Sequence, residues 1–338
     1  MSSYQHDILA QPAALADTLA YLHATALPEE LRRGLAEHRW HRVVLTGMGS
    51  SLYALMPLYD RLLAAGAPAW LVETSELLYK PYMIPPRTLL VMASQSGASG
   101  EIVHLLEQVN PEVSVIGLTN TANSPLDKRA HFAIVTRAGE EATVSCKTYV
   151  TALAAQCWLG DQLGLEPRLY GGLGSLAEQV AGYLAQYTEH IKELMPLLEG
   201  IQQLYLVGRG LSLPSAGTGG LIMKESVHIA AEGMSSAAFR HGPIEMVGPE
   251  TFVLVFAGLG PVVELNRKLY NDIIGMGGRA AFVQAGVGTG VWALPACLPQ
   301  ALPILEILPV QMMTLALGKL RQIEPGSFSR ATKVTTEE

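Results

Sequence analysis

The sequence predicts an α/β protein made of two copies of a helix-covered parallel sheet, and three observations carry that prediction. Short apolar strands alternate with segments of helical period, and the strands exit into Gly- or Ser-rich turns. The order strand, GxG, serine, helix then recurs: Val43-Val-Leu-Thr-Gly-Met-Gly-Ser-Ser in the first half is answered by Leu204-Tyr-Leu-Val-Gly-Arg-Gly-Leu-Ser in the second.

The elements follow in order. Ile8, Leu15, Leu19 and Leu22 recur at helical spacing, and Pro28-Glu-Glu-Leu opens a second segment, so residues 8–38 read as two lead-in helices. Val43–Thr46 is the first strand and Leu52–Ala65 a helix. Strands near 69–72, 88–93 and 113–118 follow, with a helix at 99–108. Residues 147–199 read as long linking helices with Pro196 near their end. In the second half, Glu250-Thr-Phe-Val-Leu-Val-Phe-Ala-Gly-Leu-Gly parallels Arg87-Thr-Leu-Leu-Val-Met-Ala-Ser-Gln-Ser-Gly. Arg279-Ala-Ala-Phe-Val-Gln-Ala resembles the strand that starts at Val113. Met223–Glu232 reads as one helix, which puts Glu225, His228 and Glu232 on a shared face. The apolar runs are broken by Gly, Pro or charge every few residues, a pattern that predicts no membrane-spanning helix.

Composition narrows the function. At 338 residues with 49% hydrophobic and 16% charged residues, the chain has ample surface to bury, some of it between subunits, so a homo-oligomer, and first a dimer, is expected. A net charge of −7, with no lysine before Lys80, argues against nucleic acid as the main partner. Cys146, Cys157 and Cys297 have neither disulfide-framework nor metal-ligand spacing, so neither a disulfide framework nor a zinc site is expected; no cofactor is expected. The N-terminus lacks a basic region followed by an apolar core, and a cytoplasmic location is expected.

One segment carries most of the chemistry. Residues 88–99 are an apolar strand that ends in Ser94-Gln-Ser-Gly-Ala-Ser, just before a helix. Phosphate oxygens only accept hydrogen bonds, so a phosphate site needs N–H and O–H donors at close range, and a helix's first turn adds partial positive charge. Ser94, Gln95, Ser96 and Ser99 offer donors, and Gly97 permits close backbone approach. Taken alone, the cluster is equally compatible with turn and N-cap chemistry. Neighbouring parallel strands, however, deliver their carboxyl-end loops to one crevice, which brings Ser50 and Ser51 beside it. In the second copy Ser94, Ser96 and Ser99 give way to Gly258, Gly260 and neighbouring apolar residues, so only the first copy keeps the loop. Gly47-Met-Gly-Ser-Ser does not complete a dinucleotide GxGxxG. Glu225 within an apolar helix is a candidate general base, or else a paired structural charge. His241, in Phe239-Arg-His-Gly-Pro, is placed on a loop by the Gly-Pro step and could move protons near neutrality, or be simply solvated.

In this order these motifs resemble the sugar isomerase (SIS) domain pair, found in the isomerase half of glucosamine-6-phosphate synthase, in phosphosugar deaminases and in fructosamine-6-phosphate deglycases. Gly49-Ser-Ser and Ser94-Gln-Ser-Gly look like that family's phosphate loops. Val144-Ser-Cys-Lys-Thr resembles its Ala-Ser-Thr-Lys segment, which brings in Ser145 and Lys147; Lys224-Glu and His241-Gly-Pro resemble the motifs of the second domain. The resemblance implies two tandem SIS domains, each a five-stranded parallel sheet in a flavodoxin-like αβα sandwich. Its boundaries would be a helical lead-in at 1–40, domains at 41–165 and 200–322, linking helices at 166–199 and a tail at 323–338. It further implies that Glu225 shuttles a proton between C1 and C2 of the sugar, and that His241 assists ring opening, in related enzymes from a neighbouring subunit. Lys333 would lie in a tail that closes over the sugar.

Two departures bear on the reaction. There is no N-terminal glutaminase segment and no cysteine directly after the initiator Met, so no use of glutamine is expected. Ile222 replaces the first lysine of the synthase's Lys-x-Lys-Glu, which fits deaminases and deglycases better. The expected activity is cleavage or shift of the C–N bond of an amino-sugar phosphate or a sugar–amino acid 6-phosphate. An aldose–ketose phosphosugar isomerase is the alternative enzyme, and a non-catalytic sugar-phosphate sensor the alternative of another class.

Overall fold

The computed structural model describes residues 2–328 and residue 330. They divide into two compact units, one of residues 13–141 and 146–174, the other of residues 2–12, 142–145 and 175–328. In chain order, α1 (Ser3–Leu9), α2 (Gln11–His23) and α3 (Glu29–Arg32) precede the first sheet. This corrects the two lead-in helices read over 8–38: the chain turns three times, and Ser2 caps α1 by accepting from Gln5 N at 3.1 Å.

The first unit's sheet uses β1 (Arg42–Gly47), β2 (Ala69–Glu73), β3 (Thr88–Ala93), β4 (Ser114–Thr119) and β5 (Phe132–Val135), with helices α4 (Gly49–Ala64), α5 (Thr74–Leu78), α6 (Gly100–Gln108), α7 (Pro125–Arg129) and α8 (Lys147–Gln162). All pairings are parallel, in the order β2-β1-β3-β4-β5. Alternation along the strands sorts the core. Val43, Leu45, Leu89 and Val91 pack with Leu55, Leu58 and Trp158 of α4 and α8 on one face. Val44, Leu90 and Met92 pack with Leu77, Ile102, Leu105 and Leu126 of α5, α6 and α7 on the other. Strands covered on both faces are apolar nearly throughout, as β3 is: all six of its residues are buried and only Thr88 is polar.

The second unit carries α9 (Leu176–Leu184), α10 (Tyr187–Leu198), β6 (Gln203–Gly208), α11 (Leu213–Val227), β7 (Ala230–Ser235), α12 (Ser236–Arg240), β8 (Thr251–Phe256), α13 (Val262–Gly275), β9 (Arg279–Val283) and α14 (Leu302–Arg321). Its parallel sheet runs β7-β6-β8-β9, the order of the first sheet without its last strand. The duplication read from the sequence is therefore present in the topology, but the second sheet has four strands, not five. The physical reason lies after β9. Gly286, Gly288 and Gly290 hold φ of 76°, 124° and 56°, and Pro295 and Pro299 follow, which suits turns and not a strand.

Two further expectations are corrected. Met223–Glu232 is not one helix: α11 ends at Val227, His228 takes a left-handed conformation (φ 53°, ψ 38°), and Glu232 lies in β7 opposite Tyr205. Gly233 explains the switch, since a Cβ there would lie 1.9 Å from Ala216 O, and one on Gly220 would lie 2.4 Å from Gly233 N. Helix and edge strand meet backbone to backbone, a contact open only to glycine. The interrupted apolar runs also do not prevent a long apolar helix. Pro299–Arg321 is 23 residues long, and an 18-residue window within it has a mean hydropathy of 1.6 and is entirely buried within the chain.

Candidate functional site

The first group of candidate residues stands at the carboxyl ends of β1 and β3. Their register pairs Gly47 with Ala93, so Met48–Ser51 and Ser94–Ser99 leave the sheet side by side. Gly49, Ser50 and Ser51 form the first turn of α4, where the Gly49 and Ser50 N–H groups lack helical partners and Ser51 N donates to Met48 O at 3.0 Å. Ser50 is buried and its Oγ has no hydrogen-bond partner among the described residues. Ser94 and Ser96 shape the other loop: Ser94 Oγ accepts from Gly97 N at 3.2 Å, and Ser96 Oγ accepts from Ala98 N at 3.2 Å. Ser99 is the N-cap residue of α6, yet its side chain makes no cap bond, while Gln95 is partly exposed. The structure thus brings Ser50, Ser51, Ser94, Gln95, Ser96, Gly97 and Ser99 to one sheet end.

Sequence reasoning missed the support beneath this loop. Gln95 O accepts from Asn120 N (3.0 Å), Thr119 Oγ1 (3.1 Å) and Thr121 Oγ1 (3.3 Å), and Gly97 O accepts from Leu126 N (3.0 Å). Gly97 is left-handed (φ 60°), and a Cβ there would lie 2.3 Å from Ser124 Oγ and 2.9 Å from Thr119 Oγ1. The signal was the run Thr119-Asn-Thr-Ala-Asn-Ser-Pro directly after the strand at 113–118, a dense cluster of turn residues.

The Ser145–Lys147 segment opens α8. Glu141, also missed, replaces a side-chain cap: its carboxylate accepts from Cys146 N (2.9 Å), Thr148 N (3.1 Å) and Thr148 Oγ1 (2.6 Å). A negative group at a helix N-terminus is favourable. Lys147 is buried, and its Nζ donates to Glu140 O at 2.6 Å. Ser145 is partly buried.

In the second unit, Glu225 lies in the last turn of α11, partly buried, between exposed Lys224 and buried Ser226. His228 and Glu232 do not share its face, because the chain leaves the helix at His228. His241 is exposed in the turn that ends α12, which places it outside a helix interior as the Gly-Pro step predicts. Lys333 lies outside the described residues.

The second sheet answers the first differently. Ser212, at the position of Ser51, turns inward and donates from Oγ to Glu306 Oε1 at 2.7 Å. Glu306 was not foreseen; burial raises its carboxyl to about 8, against the pull of the Ser212 and Ser215 hydroxyls, so it keeps its proton at neutral pH. Only its position inside an apolar helix, Leu302-Pro-Ile-Leu-Glu-Ile-Leu, marked it in the sequence.

The SIS-domain family model matches residues 38–164, the span that holds the first sheet and both serine loops. Over 357 residues the chain is 27% identical to glutamine–fructose-6-phosphate aminotransferase (isomerizing) of Pyrococcus horikoshii, covering 99% of this chain and 58% of that protein. The chain thus spans a little over half the length of such relatives. In fold it matches the C-terminal domain of glucosamine-fructose-6-phosphate aminotransferase from Francisella tularensis, with a TM-score of 0.83 and 21% identity over 99% of this chain and 98% of that one. Glucosamine-6-phosphate deaminase from Thermotoga maritima is similar in fold at a TM-score of 0.77 and 18% identity, covering 99% and 100%. The family model matches the first unit's sheet and its two serine loops, and the solved folds match nearly the whole chain: the chain carries a SIS domain at residues 38–164.

Proposed function

We propose that this chain is a sugar-phosphate enzyme that cleaves or shifts the C–N bond of a phosphorylated amino sugar or a sugar–amino acid 6-phosphate. The observation that carries the reading is Ser50: a buried hydroxyl with no described partner, at the first turn of α4 and beside the Ser94–Ser99 loop, is suited to a ligand acceptor. Ser50, Ser51, Ser94, Gln95, Ser96 and Ser99 hold the phosphate of the open-chain sugar, with Gly49 and Gly97 giving backbone access and Ser145 and Lys147 in further contact. That binding energy positions C1 and C2 for proton transfer. Glu225 takes a proton from one carbon, giving an enolamine. Its return at the neighbouring carbon gives an imine, which water hydrolyses to release the amine. His241 assists ring opening, across the interface of a homodimer, and Lys333, outside the described residues, is assigned a catalytic role by the family resemblance alone. The relatives' names support the sugar class, and Ile222 in place of a lysine favours amine release.

The test is kinetic. Glu225→Gln should lower amine release from 6-phosphofructosamines or glucosamine 6-phosphate by roughly 10²–10⁴, the range of an acid–base residue. A loss of less than about tenfold in an otherwise active enzyme contradicts the role.

A further inference from the structure

The second sheet repeats the first down to the backbone of its two exit loops. Gly49 and Gly210, each two residues beyond the first strand of its sheet, have φ of 50° and 55°; Gly97 and Gly260, beyond β3 and β8, have φ of 60° and 63°. What changes is the donor chemistry. Leu211 stands where the first loop has Ser50, and the Ser212 hydroxyl is taken by Glu306. Arg209, in turn, stands where the first loop has Met48.

Arg209 is held and yet largely unused. Its Nε donates to Ser236 Oγ at 2.8 Å, Ser236 Oγ donates to Asn266 Oδ1 at 2.6 Å, and Asn266 Nδ2 donates to Phe256 O (2.9 Å) and Ala257 O (3.0 Å). Ser236 and Asn266 are fully or almost fully buried, so this chain ties the guanidinium to the carboxyl ends of both β7 and β8. The structural arginines of the same protein behave otherwise. Arg61 uses Nη1 and Nη2 on Asp161 and three carbonyl groups, and Arg279 uses its own on Glu199 O, Pro249 O and Leu197 O. Arg209 is half-buried, and among the described residues neither Nη has a hydrogen bond and no carboxylate pairs with it. A partly desolvated guanidinium fork that lacks an acceptor is matched to an oxyanion. A Cβ on Gly210 or Gly260 would meet nothing within 4 Å, so the loops on either side leave room.

We propose that the carboxyl end of the second sheet is a second oxyanion site, taking a phosphomonoester group on the Nη edge of Arg209. It lies at the point where strand order reverses between β6 and β8, the place where open parallel sheets bind ligands. The site is independent of the first loop and of the reaction proposed for Glu225.

The test uses the full chain with its first loop disabled by Ser50→Ala, Ser94→Ala and Ser96→Ala, titrated calorimetrically with inorganic phosphate. One saturable site per chain should remain, and adding Arg209→Met, the first half's own residue, should weaken it by about tenfold or more. Arg209→Lys keeps the charge and loses the fork, so it should fall between the two; it also serves as the test if Arg209→Met fails to fold. Displacement of phosphate by fructose 6-phosphate would identify a phosphosugar as the occupant, and failure to displace it would identify free phosphate. Absence of the residual site, or a residual site indifferent to both Arg209 variants, overturns the proposal. Because Glu225 is untouched, neither result bears on the turnover assay.

Discussion

At the residue scale the serine loops were legible because their chemistry is local: hydroxyl groups and a glycine directly after an apolar strand can be read from the order of residues. Their supports, Thr119 and Ser124, were not, because they act through tertiary contacts, and neither was Glu141, whose carboxylate caps α8. Ser50 gives a direct prediction. Its Oγ has no described partner to lose, so Ser50→Ala should leave the melting temperature unchanged or slightly raised. The same variant should raise KM for the phosphosugar by about 10–150-fold, as for one lost hydrogen bond to a charged group. Glu306 gives another. Its carboxyl sits at about 8 in the folded protein against an ordinary 4.5, so between those values the unfolded chain releases a proton that the folded chain keeps. Stability therefore falls as pH rises from about 4.5 to about 8, by up to about 5 kcal/mol, and is flat above. Glu306→Gln should shrink the difference in unfolding free energy between pH 5 and pH 8 by at least about 1–2 kcal/mol, measured by urea denaturation at both values.

At the element scale, strands with both faces covered were the clearest signal, and β3 occupies the residues its apolar run predicts. The errors came where a helical pattern met a contact it could not know of. Met223–Glu232 has helical spacing, but Gly233 must sit against the Ala216 carbonyl group, and that demand moves the segment into β7. Gly233→Ala should consequently destabilise the protein by about 3 kcal/mol or more, at the upper end of overpacking, seen as a lowered denaturation midpoint with little change in slope. The missing fifth strand of the second sheet has the same kind of cause, since glycines at positive φ after β9 favour turns over pairing.

At the scale of the whole molecule, the duplication was visible from matched motifs alone and reappears as matched strand order. The two halves have diverged in their donors: hydroxyl groups at the end of the first sheet, a guanidinium at the end of the second. A net charge of −7 is no obstacle to an anionic substrate, since a few converging donors decide binding at close range. The length and apolarity of α14, taken alone, suit a membrane span, yet its side chains are spent on the second unit's own core. The central claim is that a bound phosphosugar exchanges a proton through Glu225, and isotope exchange tests it without knowledge of the leaving amine. Wild-type protein incubated in D₂O with glucosamine 6-phosphate or a 6-phosphofructosamine should incorporate deuterium at C1 or C2, read by NMR, and Glu225→Gln should slow this by about 10² or more. Incorporation at an undiminished rate in Glu225→Gln, or none in a wild-type protein that binds the sugar, would contradict it.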